Sequence, residues 1–206
     1  SKPKFIAYSV VYATPLIFAG LAVAFSFKTG VFNIGAEGQF VVGAMAACAC
    51  GILVKLPPVL HAIVCVIVAA VAGCIWSYLV GLLKVKRGIH EVLSFIMFNW
   101  IAFYLSNFLV NTVALHKEGS GEATKNVLDS ARLLFPEGIL KALDCTGANW
   151  GFILAIAASV AMWIIIEKTT LGYKLKAVGF NKDAATFGGI NANKSILTAL
   201  GISGAL

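Results

Sequence analysis

Between two apolar runs the chain reads Lys28-Thr29-Gly30-Val31-Phe32-Asn33-Ile34-Gly35-Ala36-Glu37-Gly38-Gln39. Its chemistry is that of two carboxamides and a carboxylate, Asn33, Gln39 and Glu37, among glycines that weaken any regular helix. Such groups either hydrogen-bond a polar solute or hold a chain break together. Glu37 is costly inside a membrane unless hydrated or paired. Irregular backbone survives at membrane depth only where protein or a water-filled cavity satisfies it, and broken helices of this kind line substrate sites in many transporters. The bland alternative is a cytoplasmic turn, with Lys28 as a topology signal.

A second group begins at Gly88-Ile89-His90-Glu91-Val92 and continues on one helix with Ser94, Asn99, Ser106, Asn107 and Asn111. Asn99, Ser106 and Asn107 cannot all face lipid cheaply, so they turn to neighbouring helices or to a polar path. Glu91 is either a helix-start acid favoured by the macrodipole or a functional group. His90 is most simply interfacial.

The third group is Thr170–Lys194. Asn181 is a natural N-cap for a short helix, Lys182-Asp183-Ala184-Ala185-Thr186-Phe187, which Gly188-Gly189 stops. Its apolar residues, Ala184, Ala185 and Phe187 with Ile190 beyond, suit docking into a partner's groove or lying on the bilayer surface.

The elements that carry these groups are membrane helices. The 206 residues are 60% hydrophobic and only 12% charged, too few charges to cover a water-soluble globule. The expected fold is all-α, a single polytopic membrane helix bundle with a broken or re-entrant segment near residues 28–39. Spans are predicted at 6–27, 40–54, 58–83, 92–115 and 150–166, with a sixth beginning at 196 and still running at 206. Pro15 is expected to kink the first span. The second run has 15 residues, about 22 Å of helix against a core of roughly 30 Å; that shortness favours a break over a plain turn. The chain lacks an initial Met and ends inside an apolar segment, which is the pattern expected of a fragment.

The net charge is +7. The cations sit between apolar runs, which fits topology signalling and contact with anionic lipid and gives no reason to expect nucleic acid. Lys84, Lys86, Arg87 and His90 crowd one loop; Lys168, Lys174, Lys176, Lys182 and Lys194 fill another. Two spans separate these loops, so they share a side, which positive-inside makes cytoplasmic. Residues 116–149 then form an external loop, where Glu118, Glu122, Asp129, Glu137 and Asp144 outnumber Lys117, Lys125, Arg132 and Lys141. Residues 167–195 are the cytoplasmic loop. Small residues at every fourth position, Gly43, Ala47 and Gly51, then Ala69, Gly73, Ser77 and Gly81, predict close packing of helices within the chain.

Five cysteines, four of them (Cys48, Cys50, Cys65, Cys74) in apolar runs and Cys145 in a loop, read as small packing residues with no metal-ligand spacing. No phosphate-binding G-x-x-x-x-G-K-[ST] loop, H-E-x-x-H or serine-hydrolase elbow is present. No acid, base or metal constellation of an enzyme emerges. An ion-coupled secondary transporter predicts ionisable residues in mid-span, and apart from Glu37 and Lys28 none is seen.

Gly30-Val31-Phe32-Asn33-Ile34-Gly35-Ala36-Glu37-Gly38-Gln39, followed by Gly43-Ala44 and preceded by Pro15-Leu16 and Gly20-Leu21-Ala22, resembles the signature of the simple-sugar and nucleoside ABC permeases, relatives of the ribose and branched-chain amino-acid permeases. Glu91-Val92 with Met97 and Asn99 resembles that family's next block. Ala177-Val178-Gly179-Phe180-Asn181, Ala184-Ala185 and Gly189-Ile190-Asn191 look like its coupling loop, and Ile202-Ser203-Gly204-Ala205-Leu206 like the start of a following helix. The resemblance implies a permease subunit of the bacterial cytoplasmic membrane without catalytic activity of its own. It implies an ATPase partner holding ATP and Mg, a second permease subunit and an extracytoplasmic solute-binding lipoprotein or periplasmic protein, with no cofactor on this chain. It places Gly179, Asn181, Asp183, Ala184, Ala185, Phe187 and Gly189 at the helix that docks on the ATPase, and Asn33, Glu37, Gln39, Glu91 and Asn99 near the translocation path. The expected solute is a nucleoside, with a simple sugar or another ring compound such as a flavin as the alternative.

Overall fold

A computed structural model describes residues 3–206 except 118, 120, 122, 137, 139, 141–143 and 146. The loop charges Glu118, Glu122, Glu137 and Lys141 lie outside the described residues. Among those described, the regular structure is helical: α1 (Pro3–Phe27), α2 (Ala36–Leu53), α3 (Pro58–Arg87), α4 (Glu91–Val110), α5 (Gly151–Lys168), α6 (Thr170–Phe180), α7 (Lys182–Phe187) and α8 (Ala192–Ala205), with a 3₁₀ turn at Asp129–Ala131. The first five are long and apolar enough to cross a membrane.

The distribution of polarity is that of a chain solvated by lipid. Large apolar side chains such as Leu16, Trp100 and Phe108 are more than half exposed, whereas Asn33, Gln39, His61, Ser26, Ser77 and Ser203 are buried. Asn33, Gln39, His61 and Ser203 find side-chain partners inside the bundle, where hydrocarbon offers none, while the Ser26 and Ser77 hydroxyls have none among the described residues.

Helix boundaries follow local chemistry. The second helix begins at Ala36, earlier than the apolar run suggests, because Glu37, Gly38 and Gln39 join its first turn. At 18 residues it is about 27 Å long. The non-helical stretch is therefore Lys28–Gly35, shorter than the 28–39 expected. α3 runs on to Arg87, where Gly88 takes a left-handed cap at φ 65°. α4 stops at Val110 instead of Leu115, since Thr112 turns its hydroxyl back onto the Leu109 carbonyl at 2.6 Å.

α3 is the central element, packed between α2, α4 and α8. The small-residue stripe makes this possible. A Cβ on Gly43 would press on the Ala69 carbonyl, and one on Gly73 would run into the Gly204 carbonyl of α8. The converse clash, Gly204 against Gly73, also holds, so backbones meet directly here. Three apolar clusters complete the packing. Val31, Val80, Phe95, Val178, Ala185, Ile196 and Leu200 join the break to the lysine-bearing end. Phe25, Leu175 and Ala199 join α1, α6 and α8. Ala7, Cys145 and Ala148 join the start of α1 to the long loop, reinforced by a 2.9 Å ion pair between Lys4 and Asp144.

Replacing Gly73 or Gly204 by Val overpacks this contact. The expected loss is about 1–3 kcal/mol, read as a lower thermal midpoint of the full-length subunit in detergent; unchanged midpoints for both variants contradict the assigned α3–α8 contact.

Candidate functional site

α1 ends in a turn at Lys28–Gly30, Val31–Gly35 follow without regular structure, and α2 begins. This stretch is no exposed loop. Val31 and Asn33 are buried, as are Ser26 and Thr29 beside them. Its backbone cannot count on water, so side chains serve it. Asn33 and Asn99 share this. The Asn33 Nδ2 donates to Ser203 Oγ at 2.7 Å and to Gln39 Oε1 at 3.2 Å. Its Oδ1 accepts from the Gly35 N–H at 2.9 Å and from Gln39 Nε2 at 3.1 Å. All four valences of the amide are used. Ser203 in turn donates to the Ala22 carbonyl of α1 at 2.7 Å. One amide thus ties α1, the break, α2 and α8 together.

Asn99 braces the same break from α4. Its Nδ2 donates to the Ile34 carbonyl at 3.1 Å, and its Oδ1 accepts from the Gly38 N–H at 3.0 Å, one of the N–H groups left free at the start of α2. Glu91 pairs with Lys84 at 2.6 Å across the α3–α4 turn, half-buried. Glu37 is exposed in the first turn of α2, where the helix dipole favours a carboxylate. The proposed path residues therefore do not converge. Asn33, Gln39 and Asn99 come together, while Glu37 and Glu91 stand apart from their hydrogen bonds.

Gln39 differs from Asn33 in having amide valences to spare, since it makes one bond through each atom to Asn33. With Ser203 it provides the polar part of one wall of a cavity of about 440 Å³ otherwise lined by residues such as Ala22, Phe40, Ala47, Val66 and Leu154.

The third group lies against the other side of the break. Thr169 caps α6 through the Gly172 N–H at 3.2 Å. Asn181 caps α7 by accepting from the Asp183 and Ala184 N–H groups at 3.0 and 2.9 Å. Gly188 caps its end, and Gly189 takes φ 82°. The apolar residues of α7 divide between two faces. Ala185 is buried, with Ile190 packed beside it. Ala184 is exposed, and Phe187 is 93% exposed, next to Phe180 at 90%. Gly179 belongs to α6, not to the short helix. A Cβ there would strike the Lys28 carbonyl, and Gly30, at φ 73°, faces the Gly179 backbone in return. The lysine-bearing helices and the break are in backbone contact.

Sequence reasoning missed Ser203 as a partner of Asn33, 170 positions away; the only local signal is a hydroxyl in an apolar helix. It also missed the contact of Gly179 with the Lys28–Gly30 turn, for which two glycines in separate segments were the sole hint.

Asn33→Ala leaves the Gln39 amide and the Gly35 N–H without partners. The expected cost is about 1–3 kcal/mol, more than for Gln39→Ala, measured as denaturant midpoint in the full-length subunit. Equal, small effects contradict the central place given to Asn33.

Comparison with known proteins adds to this geometry. The family described as the permease component of the branched-chain amino acid transport system matches residues 5–206. The guanosine ABC transporter permease protein NupP of Bacillus subtilis (strain 168) is 40% identical over 202 residues, which are 98% of this chain and 57% of that one. The nucleoside ABC transporter permease protein NupB of Lactococcus lactis subsp. cremoris (strain MG1363) is 34% identical over 93% of this chain and 54% of its own length. The glucose ABC transporter permease protein TsgB13 of Haloferax volcanii is 31% identical over 95% of this chain and 53% of its own. The chain spans about half the length of these curated relatives. No solved structure matches it.

Proposed function

Since this chain belongs to the family of branched-chain amino acid transport system permease components, a family of multi-pass membrane proteins, we propose that it is the membrane-spanning part of an ABC importer that takes up nucleosides on ATP hydrolysed by partner subunits. Support for the solute class comes from the guanosine and nucleoside permeases at 40% and 34% identity, against 31% for the one named for glucose. A simple sugar is the second reading, and the glucose relative is its support.

The observation that carries the reading is the exposed ring of Phe187 on α7, a short capped helix whose Ala185 is anchored in the bundle, with a second exposed ring, Phe180, at the end of α6. A rigid apolar knob on a polar, lysine-rich surface fits a groove on a partner. In this reading the partner is the ATPase, which holds ATP and Mg, and Asp183 and Thr186 rim the contact. A second permease subunit and an extracytoplasmic solute-binding protein complete the importer. The lysine-rich end is cytoplasmic by the positive-inside rule, and the end carrying Lys4, Asp144 and the long loop is external.

The contacts support a mechanism. Closure of the ATPases on ATP pulls α7. Ala185 and Val178 share a cluster with Val31, and Gly179 sits on the Lys28 carbonyl, so displacement of α6 and α7 reaches the break directly. The break is bistable because its backbone is held by side chains, which can exchange partners, and not by a helical ladder. Gln39, with free valences on the cavity wall, is the side chain of the junction available to the solute. Asn33, Asn99 and Glu91 position the helices around it.

Phe187→Asp removes the knob without disturbing Ala185. ATP-driven uptake should fall at least tenfold while the subunit remains in the membrane; normal import by the variant sinks the docking assignment. The function itself is tested with the full-length subunit and its partners in right-side-out vesicles, given labelled guanosine, uridine and ribose outside and ATP or a non-hydrolysable analogue inside. Nucleoside uptake that requires hydrolysable ATP and survives a protonophore is expected. Uptake indifferent to ATP but abolished by the protonophore makes the protein an ion-coupled transporter, and ribose uptake alone moves it to the sugar reading.

A further inference from the structure

At the far end of the α2–α3 hairpin, about 35 Å along α3 from Lys84, lies a buried cluster that takes no part in the hydrogen-bonded junction above. His61 and Cys65 are four residues apart and leave α3 on one face. The antiparallel α2 brings Cys50 against them. One ligand atom from each residue lies within 4.8 Å of the other two, and all three residues are buried, His61 completely.

The ring of His61 is oriented from outside the hairpin. Its Nδ1 is 2.7 Å from Ser130 Oγ, in the 3₁₀ turn of the long loop. Its Nε2 is 3.4 Å from the Cys50 carbonyl, at the limit of a hydrogen bond. The ring can serve both partners by donating from Nε2 to the Cys50 carbonyl and accepting at Nδ1 from the Ser130 hydroxyl. In the other tautomer Nδ1–H donates to Ser130 and the Nε2 lone pair is free for a cation; a partner fixing the tautomer through the other ring nitrogen is the usual support of a ligating imidazole.

We propose that Cys50, His61 and Cys65 form a binding site for a soft divalent metal ion, zinc in the first instance, with Ser130 as the positioning residue. Two thiolates and a neutral imidazole balance a dication, so the loaded site is electroneutral, as apolar surroundings require. Binding releases the two thiol protons to solvent. Tetrahedral zinc, with bonds of about 2.3 Å to sulfur and 2.0 Å to nitrogen, sets ligand atoms about 3.5–3.8 Å apart, within reach of side-chain rotation from the observed cluster. Three protein ligands leave a fourth position for water, and Cys65 also lines the cavity. The ion clips α2 to α3, and the His61–Ser130 bond extends the clip to the loop, which already meets the hairpin where the Leu128 N–H donates to the Gly51 carbonyl at 3.1 Å. The sequence spacing, ten residues between Cys50 and His61, hides the set because a helix reversal lies between them.

The test uses the full-length subunit with its partners, purified metal-free under reductant and titrated with Co(II), then Zn(II). A single Co(II) per chain with a thiolate-to-cobalt charge-transfer band and intense tetrahedral visible bands, displaced by Zn(II), is expected. Cys50→Ser, Cys65→Ser and His61→Gln should each weaken binding by ~10-fold or more, and Ser130→Ala by ~10-fold with the spectrum retained. Cys48→Ser, outside the cluster, should change nothing. Absence of the charge-transfer band in the unmodified protein overturns the proposal, as does a band that survives Cys65→Ser. A Cys50–Cys65 disulfide in protein isolated without reductant also overturns it and makes the pair a redox element.

Discussion

Five non-helical residues, Val31–Gly35, join α1 to α2 in a bundle whose outer surface is apolar, and the polar groups buried there have to be satisfied from within. The amide of Asn33 meets part of that constraint at the Gly35 N–H, with Asn99 serving the Ile34 carbonyl. Its two donors and two acceptor sites are all engaged, by Ser203, Gln39 and Gly35. Much of the architecture follows. Ser203 can reach Asn33 only if α8 lies beside α3, and α8 lies there because Gly73 and Gly204 let the two backbones touch. Asn99 reaches Ile34 and Gly38 only because α4 packs across the start of α2.

A junction built from side-chain hydrogen bonds differs from a helix in how it responds to force. A helical ladder resists displacement cooperatively, whereas amide and hydroxyl partners exchange singly. Placing such a junction between the cavity wall at Gln39 and the exposed α7 gives the bundle one compliant region among stiff elements. The contact of Gly179 with Lys28 is backbone on backbone, so it transmits displacement without the slack of a long side chain. In the importer reading, this is how events at a partner on the lysine-rich end reach the cavity.

The elements were largely legible in the sequence, because apolar run length and lysine-bearing loops are one-dimensional signals. The N-cap at Asn181 and the stop at Gly188 follow from local chemistry alone. The roles inside the site were less legible. Asn33 and Gln39 could be read as binding a solute or as holding the break, and only the position of Ser203 shows that Asn33 has no valence left for a solute. Glu37 looked costly as a residue of the break and is instead exposed on the first turn of α2. Cys50, His61 and Cys65 were invisible as a set, since helical spacing relates the last two and only tertiary packing adds the first.

The account depends most on the bond between Asn33 and Ser203, and a double-mutant cycle on the full-length subunit, with Asn33→Ala, Ser203→Ala and the pair, measures it directly. The predicted outcome is an interaction energy of about 1 kcal/mol or more, the double variant losing less than the sum of the singles. Additive losses, within about 0.3 kcal/mol, would mean that the two side chains are energetically independent and that something other than this junction holds the break in place.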